Sequence, residues 1–340
     1  MGEIMATIHD VAKLAGVSTS TVSRVLNDGG ASDEAKSAVL NAMKELDYSP
    51  SFFAQSIKTR RTNTIAMIVP DISNLFYTEM FKAIEEVALK HNYIVLMCDT
   101  KNNAMSEIKY AKTLLNRSID GFIYCSYQKV KENEEYFVEL SKTFPLVFMD
   151  YAFINNNDVP FVVTEGKEST ANAVEYLCET GKNRIAYVNF PKDTSITLPR
   201  YEGYMEGLKK CTISINDDYV ITPEPNNDIT LMEIGYQSAE RLMSLRERPN
   251  AIMTAADPLA IGVLKYLKEK QIKIPDDVSV IGFDNSALCD IYEPKLTTIS
   301  QPIKEMGKSA ATILLAKIQG IDLVEDQKMY RGKLIVGETT

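Results

Sequence analysis

From Thr64 onward the chain alternates short, unbroken apolar runs with helix-length amphipathic stretches, and no other feature narrows its possible folds as sharply. The runs are TIAMIVP, YIVLMCD, GFIYCS and PLVFMD, then FVVTE, RIAYVNF, AIMTA and VSVIGFD. A sheet with one wet face would alternate apolar and polar residues. Continuous apolar strands separated by amphipathic helices of about 12–18 residues belong instead to parallel sheets covered on both faces. Two such series predict two doubly wound α/β lobes, and open sheets of this kind bind ligands beyond the carboxyl ends of their strands. The cleft between the lobes is therefore where a site is expected.

Polar residues close several of these runs: Asp71 after TIAMIVP, Asp150 after PLVFM, Asp257 after AIMTAA and Asp284 at the end of VSVIGF. Each offers a hydrogen-bonding carboxylate to the cleft, and each is equally suited to capping a helix or forming a turn. Reactive chemistry has little to work with. The chain holds two histidines, His9 and His91, and lacks a phosphate-cradling glycine loop and a G-x-S-x-G nucleophile turn. Its five cysteines (Cys98, Cys125, Cys178, Cys211, Cys289) are scattered without a C-x-x-C pair. That pattern predicts core thiols rather than disulfides or a zinc site. No catalytic residue, metal or cofactor is expected, and an enzyme is the weakest of the classes considered.

A chain of 340 residues exceeds what one core normally supports, so a second folding unit is expected. No apolar run approaches a membrane span, and MGEIMATIHDVA lacks the basic-then-apolar order of an export signal; both point to the cytoplasm. The net charge of −9 argues against nucleic acid until its distribution is counted. Residues 1–62 carry seven Lys and Arg against seven acids, with IKTRR at 57–61 a local basic cluster, so the acidic excess lies wholly in the rest.

In that balanced segment Thr7 and Asp10 have the spacing of a capping box, and Ile8, Val11, Ala12 and Leu14 form an apolar side. Gly16 marks a tight turn, and Ser18 caps a second helix, Thr19–Leu26, with Val22, Val25 and Leu26 inward. A third helix fits Asp33–Leu46 after Ser32, with Ala35, Val39, Leu40, Met43 and Leu46 on one face. Two short helices across a glycine turn, plus a third, match a DNA-binding helix-turn-helix, whose second helix enters the major groove. Thr19, Ser20 and Arg24 lie on that helix's polar side, where an arginine can pair with guanine through two hydrogen bonds.

The sequence TIHDVAKLAGVSTSTVSRVLND, followed by VLNAMKELDYSPSFFAQSIK, resembles the headpiece of the lactose-repressor (LacI/GalR) family, and the similarity continues almost to the C-terminus. The resemblance implies that Thr19, Ser20 and Arg24 read bases. It likewise implies that Thr7, Ser18, Thr21, Ser23 and Lys36 contact the DNA backbone, and that Asn27 and Tyr48 approach DNA. Pro50 to Lys58 corresponds to the family's hinge helix, with Ile57 at the minor-groove wedge position and Lys58 after it. Phe52 and Phe53 are bulkier than is usual there, and the Asn27–Ser32 loop is one residue shorter than in the lactose repressor.

For the remainder the resemblance implies the fold of periplasmic sugar-binding proteins and an effector site containing Arg200 and Asp284, joined by Asp150, Phe76, Tyr77, Tyr151, Asp257 and Asp71. Carboxylates and a guanidinium suit paired hydroxyls, and aromatic faces suit a sugar ring, although other small polar ligands fit the same set. Ala256 stands where many sugar-responsive members have Asn. The expected organisation is an all-α helix-turn-helix headpiece over residues 1–49, a hinge over 50–62 and a two-lobed effector-binding and dimerisation domain over 63–340. The first lobe would take about 63–160 and 293–321 and the second about 161–292 and 322–340, with the helix from Pro302 to Gln319 returning to the first lobe. The expected protein is a homodimeric repressor of carbohydrate-utilisation genes that binds a pseudo-palindromic double-stranded operator. Its terminal KLIVGETT carries no leucine heptads that would build a tetramer. A solute-binding protein for uptake is the alternative that the lobes alone would allow.

Overall fold

The computed structural model describes residues 6–26, 29–48, 61–126, 130–150, 159–191, 197–226 and 228–340, and divides into two compact units, Met1–Thr62 and Asn63–Thr340. In the first unit, Thr7 caps α1 (Ile8–Leu14) with the full reciprocal box to Asp10, and Gly16 turns the chain at φ 66°. The Ser18 hydroxyl accepts from the Thr21 amide at 3.2 Å to start α2 (Thr19–Leu26), and Ser32 caps α3 (Asp33–Glu45). Val11, Ala12, Val22, Val39 and Ala42 form its small core. Leu14 and Leu40, expected inside, are 45% and 58% exposed. The inward stripe of α1 runs Ile8, Val11, Ala12, Ala15, which leaves Leu14 off its edge. Leu40 follows the buried Val39 and is turned about 100° away from it.

The second unit contains two six-stranded sheets. The first is parallel throughout, in the order β11 (Gln327–Arg331), β5 (Phe161–Glu165), β4 (Leu146–Met149), β3 (Gly121–Cys125), β1 (Thr64–Val69), β2 (Ile94–Asp99). Its helices are α4 (Leu75–Lys90), α5 (Ala104–Leu115), α6 (Lys131–Ser141) and α12 (Ile303–Gln319). Ile303, Met306, Ala310 and Leu314 of α12 lie in the first lobe's core.

The second sheet runs β12 (Lys333–Ile335), β10 (Thr297–Ser300), β9 (Ser279–Asp284), β8 (Ala251–Thr254), β6 (Ile185–Val188), β7 (Val220–Ile221). Around it lie α7 (Lys167–Glu179), α8 (Thr197–Lys210), α9 (Leu231–Ser244), α10 (Asp257–Glu269) and the short α11 (Leu288–Ile291). It departs from the all-parallel expectation at one edge, where β12 is antiparallel to β10.

The lobe boundaries also differ from those expected. FVVTE pairs within the first sheet, TTIS within the second and QKMYR within the first, so the chain crosses at Gly166, at Gln301–Pro302 and at Gly332. In each case it completes a strand before crossing, whereas residues 160, 292 and 322 lie before those strands.

The cysteine expectation fails at one pair. Cys178 and Cys211 form a disulfide with Cα atoms 6.5 Å apart, while Cys98, Cys125 and Cys289 are buried free thiols. α7 and α8 approach closely because Gly203 and Gly207 present no Cβ to Lys167, Thr170 and Val174. Four residues on from Gly207 and Val174 the same stripe brings Cys211, just past the end of α8, to Cys178. No helix among the described residues is long and apolar enough to cross a membrane.

Candidate functional site

In the first unit the polar side of α2 carries the candidate DNA-reading groups. Ser20 and Arg24 are exposed, while Thr19, Thr21 and Ser23 are half-buried. The Ser18 hydroxyl lies 2.7 Å from that of Ser20 and 2.9 Å from that of Thr21, and Arg24 reaches Thr21 at 3.4 Å, which leaves most of its guanidinium available. The first turn of α2 holds no acid, so its free amides and positive dipole end favour a phosphate. Thr7 is exposed but commits its hydroxyl to Asp10 at 2.7 Å, and Lys36 and Tyr48 are half-buried. Asn27, Ile57 and Lys58 lie outside the described residues.

In the second unit three charged side chains from different elements converge between the sheets. Arg200, in the first turn of α8, places Nη2 4.0 Å from Oδ1 of Asp150, which follows β4 in the other lobe. The Tyr77 hydroxyl of α4 donates to Asp150 Oδ2 at 3.1 Å, and the Tyr77 ring packs edge-on against Phe76. Arg200 also donates through Nη1 to the Ala255 carbonyl, and its guanidinium lies 3.7 Å from the Phe283 ring centroid and 5.7 Å from that of Phe190. Asp284 ends β9 and accepts from Gln301 Nε2 at 2.7 Å, at a crossing between lobes. A second tie joins the lobes where the Ala287 amide donates to Glu79 at 2.7 Å.

Two carboxylates share this space with one guanidinium. Burial pushes Asp150 up from the ordinary carboxylate range, against the Arg200 charge and the Tyr77 hydrogen bond. Asp284 is raised well above it, first by burial and then by the neighbouring Asp257 and Asp150, with Arg200 and Gln301 opposing. Both residues have positive φ, 61° and 125°, which non-glycine residues adopt at a cost and which clusters at functional positions.

The other expected effector residues divide. Phe76 is 2% exposed, packed in the first lobe's core beside Tyr77. Asp71 turns its carboxylate onto the Ser73 amide at 2.8 Å and serves the turn into α4. Asp257 is a correction: fully buried, it accepts from Thr298 Oγ1 at 2.6 Å, the Ser286 amide at 2.8 Å, Ser286 Oγ at 3.1 Å and Cys289 Sγ at 3.2 Å. Burial raises its carboxyl to about 6 despite these donors. With its lone pairs filled from within, it positions the loop carrying Asp284 rather than facing a ligand. Tyr151 lies outside the described residues. Sequence reasoning missed Gln301, Phe190 and Phe283; the polar residue before Pro302 was the one legible signal, and the aromatics looked like ordinary strand residues.

Two family models match the chain: bacterial regulatory proteins of the lacI family over residues 7–51, and a periplasmic binding protein-like domain over residues 174–340. The HTH-type transcriptional repressor PurR of Vibrio atlanticus (strain LGP32) is 33% identical over 319 residues, 94% of this chain and 93% of that protein. The ribose operon repressor of Escherichia coli (strain K12) is 33% identical over 315 residues, covering 92% and 93%. CytR, an HTH-type transcriptional repressor of the same organism, is 31% identical over 339 residues, covering 99% and 97%. Among solved structures, the lac repressor dimer bound to operator and the anti-inducer ONPF superposes with a TM-score of 0.85 at 23% identity, covering 98% of each chain. A CelR–cellobiose complex gives 0.73 at 24%, covering 98% of this chain and all of the other. These structures share the fold.

Proposed function

The chain belongs to the lacI family of bacterial regulatory proteins and is a DNA-binding transcriptional regulator, and from that premise we propose how its residues divide the work. It represses genes of carbohydrate or nucleoside use from a pseudo-palindromic operator, as a homodimer in the cytoplasm, under control of a small polar effector. Thr19, Ser20 and Arg24 read base edges; Thr7, Ser18, Thr21, Ser23 and Lys36 hold phosphates; Asn27, Tyr48 and the 50–58 segment with Ile57 and Lys58 complete the grip. Pairing of two headpieces matches the symmetry of a palindrome. Ile94 and Leu96 on the edge strand β2, 53% and 40% exposed, with Leu89 at 56%, supply apolar surface suited to a partner protomer.

The observation that carries the effector reading is the buried Arg200–Asp150–Asp284 cluster drawn from both lobes. A ligand with adjacent hydroxyls exchanges the direct Arg200–Asp150 contact for contacts through itself. Because the two states bind it differently, it shifts the lobes between them. The test is a thermal-shift screen of sugars and nucleosides against the full chain and Arg200→Ala, since a ligand of the native state alone raises its melting point. The expected result is at least one compound that stabilises the wild type and not the variant. Equal stabilisation of both removes the cluster from the effector site.

A further inference from the structure

Tyr187, the third residue of β6, is 1% exposed, yet its hydroxyl has no hydrogen-bond partner among the described residues. Buried phenols ordinarily find one, because the desolvated group otherwise forfeits its bonds to water. The neighbouring Tyr204, whose ring stacks on that of Tyr187 with centroids 5.0 Å apart, follows the rule and donates to the Ile185 carbonyl at 2.8 Å. Tyr187 therefore stands out within its own cluster.

Its position gives the unused hydroxyl a direction. Tyr204 and Arg200 lie one turn apart on α8, and Arg200 is the one that reaches Asp150 of the other lobe. Burial holds the Tyr187 phenol well above its ordinary range, with the charge of Arg200 opposing. Tyr187 pairs in register with Met253 on β8, and the carbonyl of Ala255, two residues on, is where Arg200 anchors. The residue after it, Ala256, is fully buried and brings only a methyl group, which cannot satisfy a phenol.

We propose that Tyr187 is a specificity-determining residue of the effector site, donating its hydroxyl to an uncharged ligand oxygen that Arg200 also binds. This rests on the reading of the Arg200 cluster as the effector site. The oxygen is that of a hydroxyl, ether or carbonyl. A phosphate or carboxylate would be welcomed by Arg200 and Tyr187 but would be set against the Asp150 and Asp284 carboxylates, both in the same buried cluster.

The experiment compares full-length wild type, Tyr187→Phe and Arg200→Ala by thermal shift, unliganded and with D-ribose, cellobiose, adenosine or cytidine. Without ligand, Tyr187→Phe is expected to melt about 2–4 °C above wild type, since it removes an unpaired buried hydroxyl. Any of the four compounds that stabilises the wild type is expected to bind Tyr187→Phe roughly ten-fold more weakly. A variant that melts below wild type overturns the proposal, because its hydroxyl was already partnered. Undiminished binding to Tyr187→Phe together with lost binding to Arg200→Ala overturns it and leaves the effector site in place. Undiminished binding to both variants overturns the site itself. Stabilisation of the wild type by none of the four overturns the proposal.

Discussion

Replacing Arg200 with alanine tests the electrostatics of the cluster in the absence of any ligand. At an effective dielectric near 20, unit charges separated by the 4.0 Å of the Arg200–Asp150 pair attract by about 4 kcal/mol. Both side chains are nearly inaccessible, at 5% and 7%, so solvent screening does not reduce this to the level of a surface pair. Removing the guanidinium does not cost the full amount at every pH, because the carboxylates left behind can take up protons instead.

Asp150 and Asp284 are already raised by burial, and Arg200 is among the groups that hold both of them down, so both rise further in the variant. A carboxyl raised in the folded state contributes stability that is fully present below its unfolded value and is lost as pH climbs through its folded value. The variant's stability therefore falls more steeply with rising pH than that of the wild type. At about pH 5 the loss should be roughly 1–2 kcal/mol, from the contact with Phe283 and the bond to the Ala255 carbonyl. At about pH 8, where an unpaired buried carboxylate must either ionise or be held neutral, it should reach roughly 3–5 kcal/mol. Urea unfolding of both proteins at the two pH values, extrapolated linearly, measures the difference. An identical loss at both pH values would mean that Arg200 acts only through packing.

Three further outcomes are expected. Arg24→Ala should lower discrimination at one base pair by about 1–3 kcal/mol, read as relative affinity across single-substitution operators; uniform weakening across all sequences would make Arg24 a phosphate contact. Asp257→Ala strands the Ser286 amide and hydroxyl and the Thr298 hydroxyl in a dry interior, and chemical unfolding should show a loss of about 3–5 kcal/mol. Reducing the Cys178–Cys211 disulfide, which spans 33 residues, should lower stability by about 3–4 kcal/mol, with peptide mapping under non-reducing conditions recovering that pair and no other.

What the sequence revealed follows from the range of the interaction involved. The caps of α1, α2 and α3 and the turn at Gly16 depend on residues within four positions, and each was readable as a motif. Buried strands announce themselves through apolar runs. Edge strands such as QKMYR and KLI bury too little to do so, which puts the last crossing before a strand that the chain completes first; FVVTE reads as a strand, but nothing local says which sheet it joins.

The site divided in the same way. Arg200, Asp150 and Asp284 were reached through family resemblance and strand-end position. Whether an aspartate is open to a ligand or saturated, as Asp257 is, depends on donors 29 to 41 residues away that no local pattern exposes. The disulfide was hidden for a related reason. Cys178 and Cys211 are brought together by glycines on α8, a packing stripe visible only once the partner helix is known.

In the proposed function a helix-turn-helix that reads DNA is joined to a sensor whose cleft holds a small effector. The most direct measurement is an anisotropy titration of the full chain on the duplex it enriches most from a random pool, repeated with a compound that raises its melting point. The expected result is enrichment of a pseudo-palindrome, nanomolar-range binding that is lost on Arg24→Ala, and a compound-dependent change in affinity that disappears in Arg200→Ala. Enrichment of no sequence, or an affinity that the compound changes equally in wild type and Arg200→Ala, would contradict it.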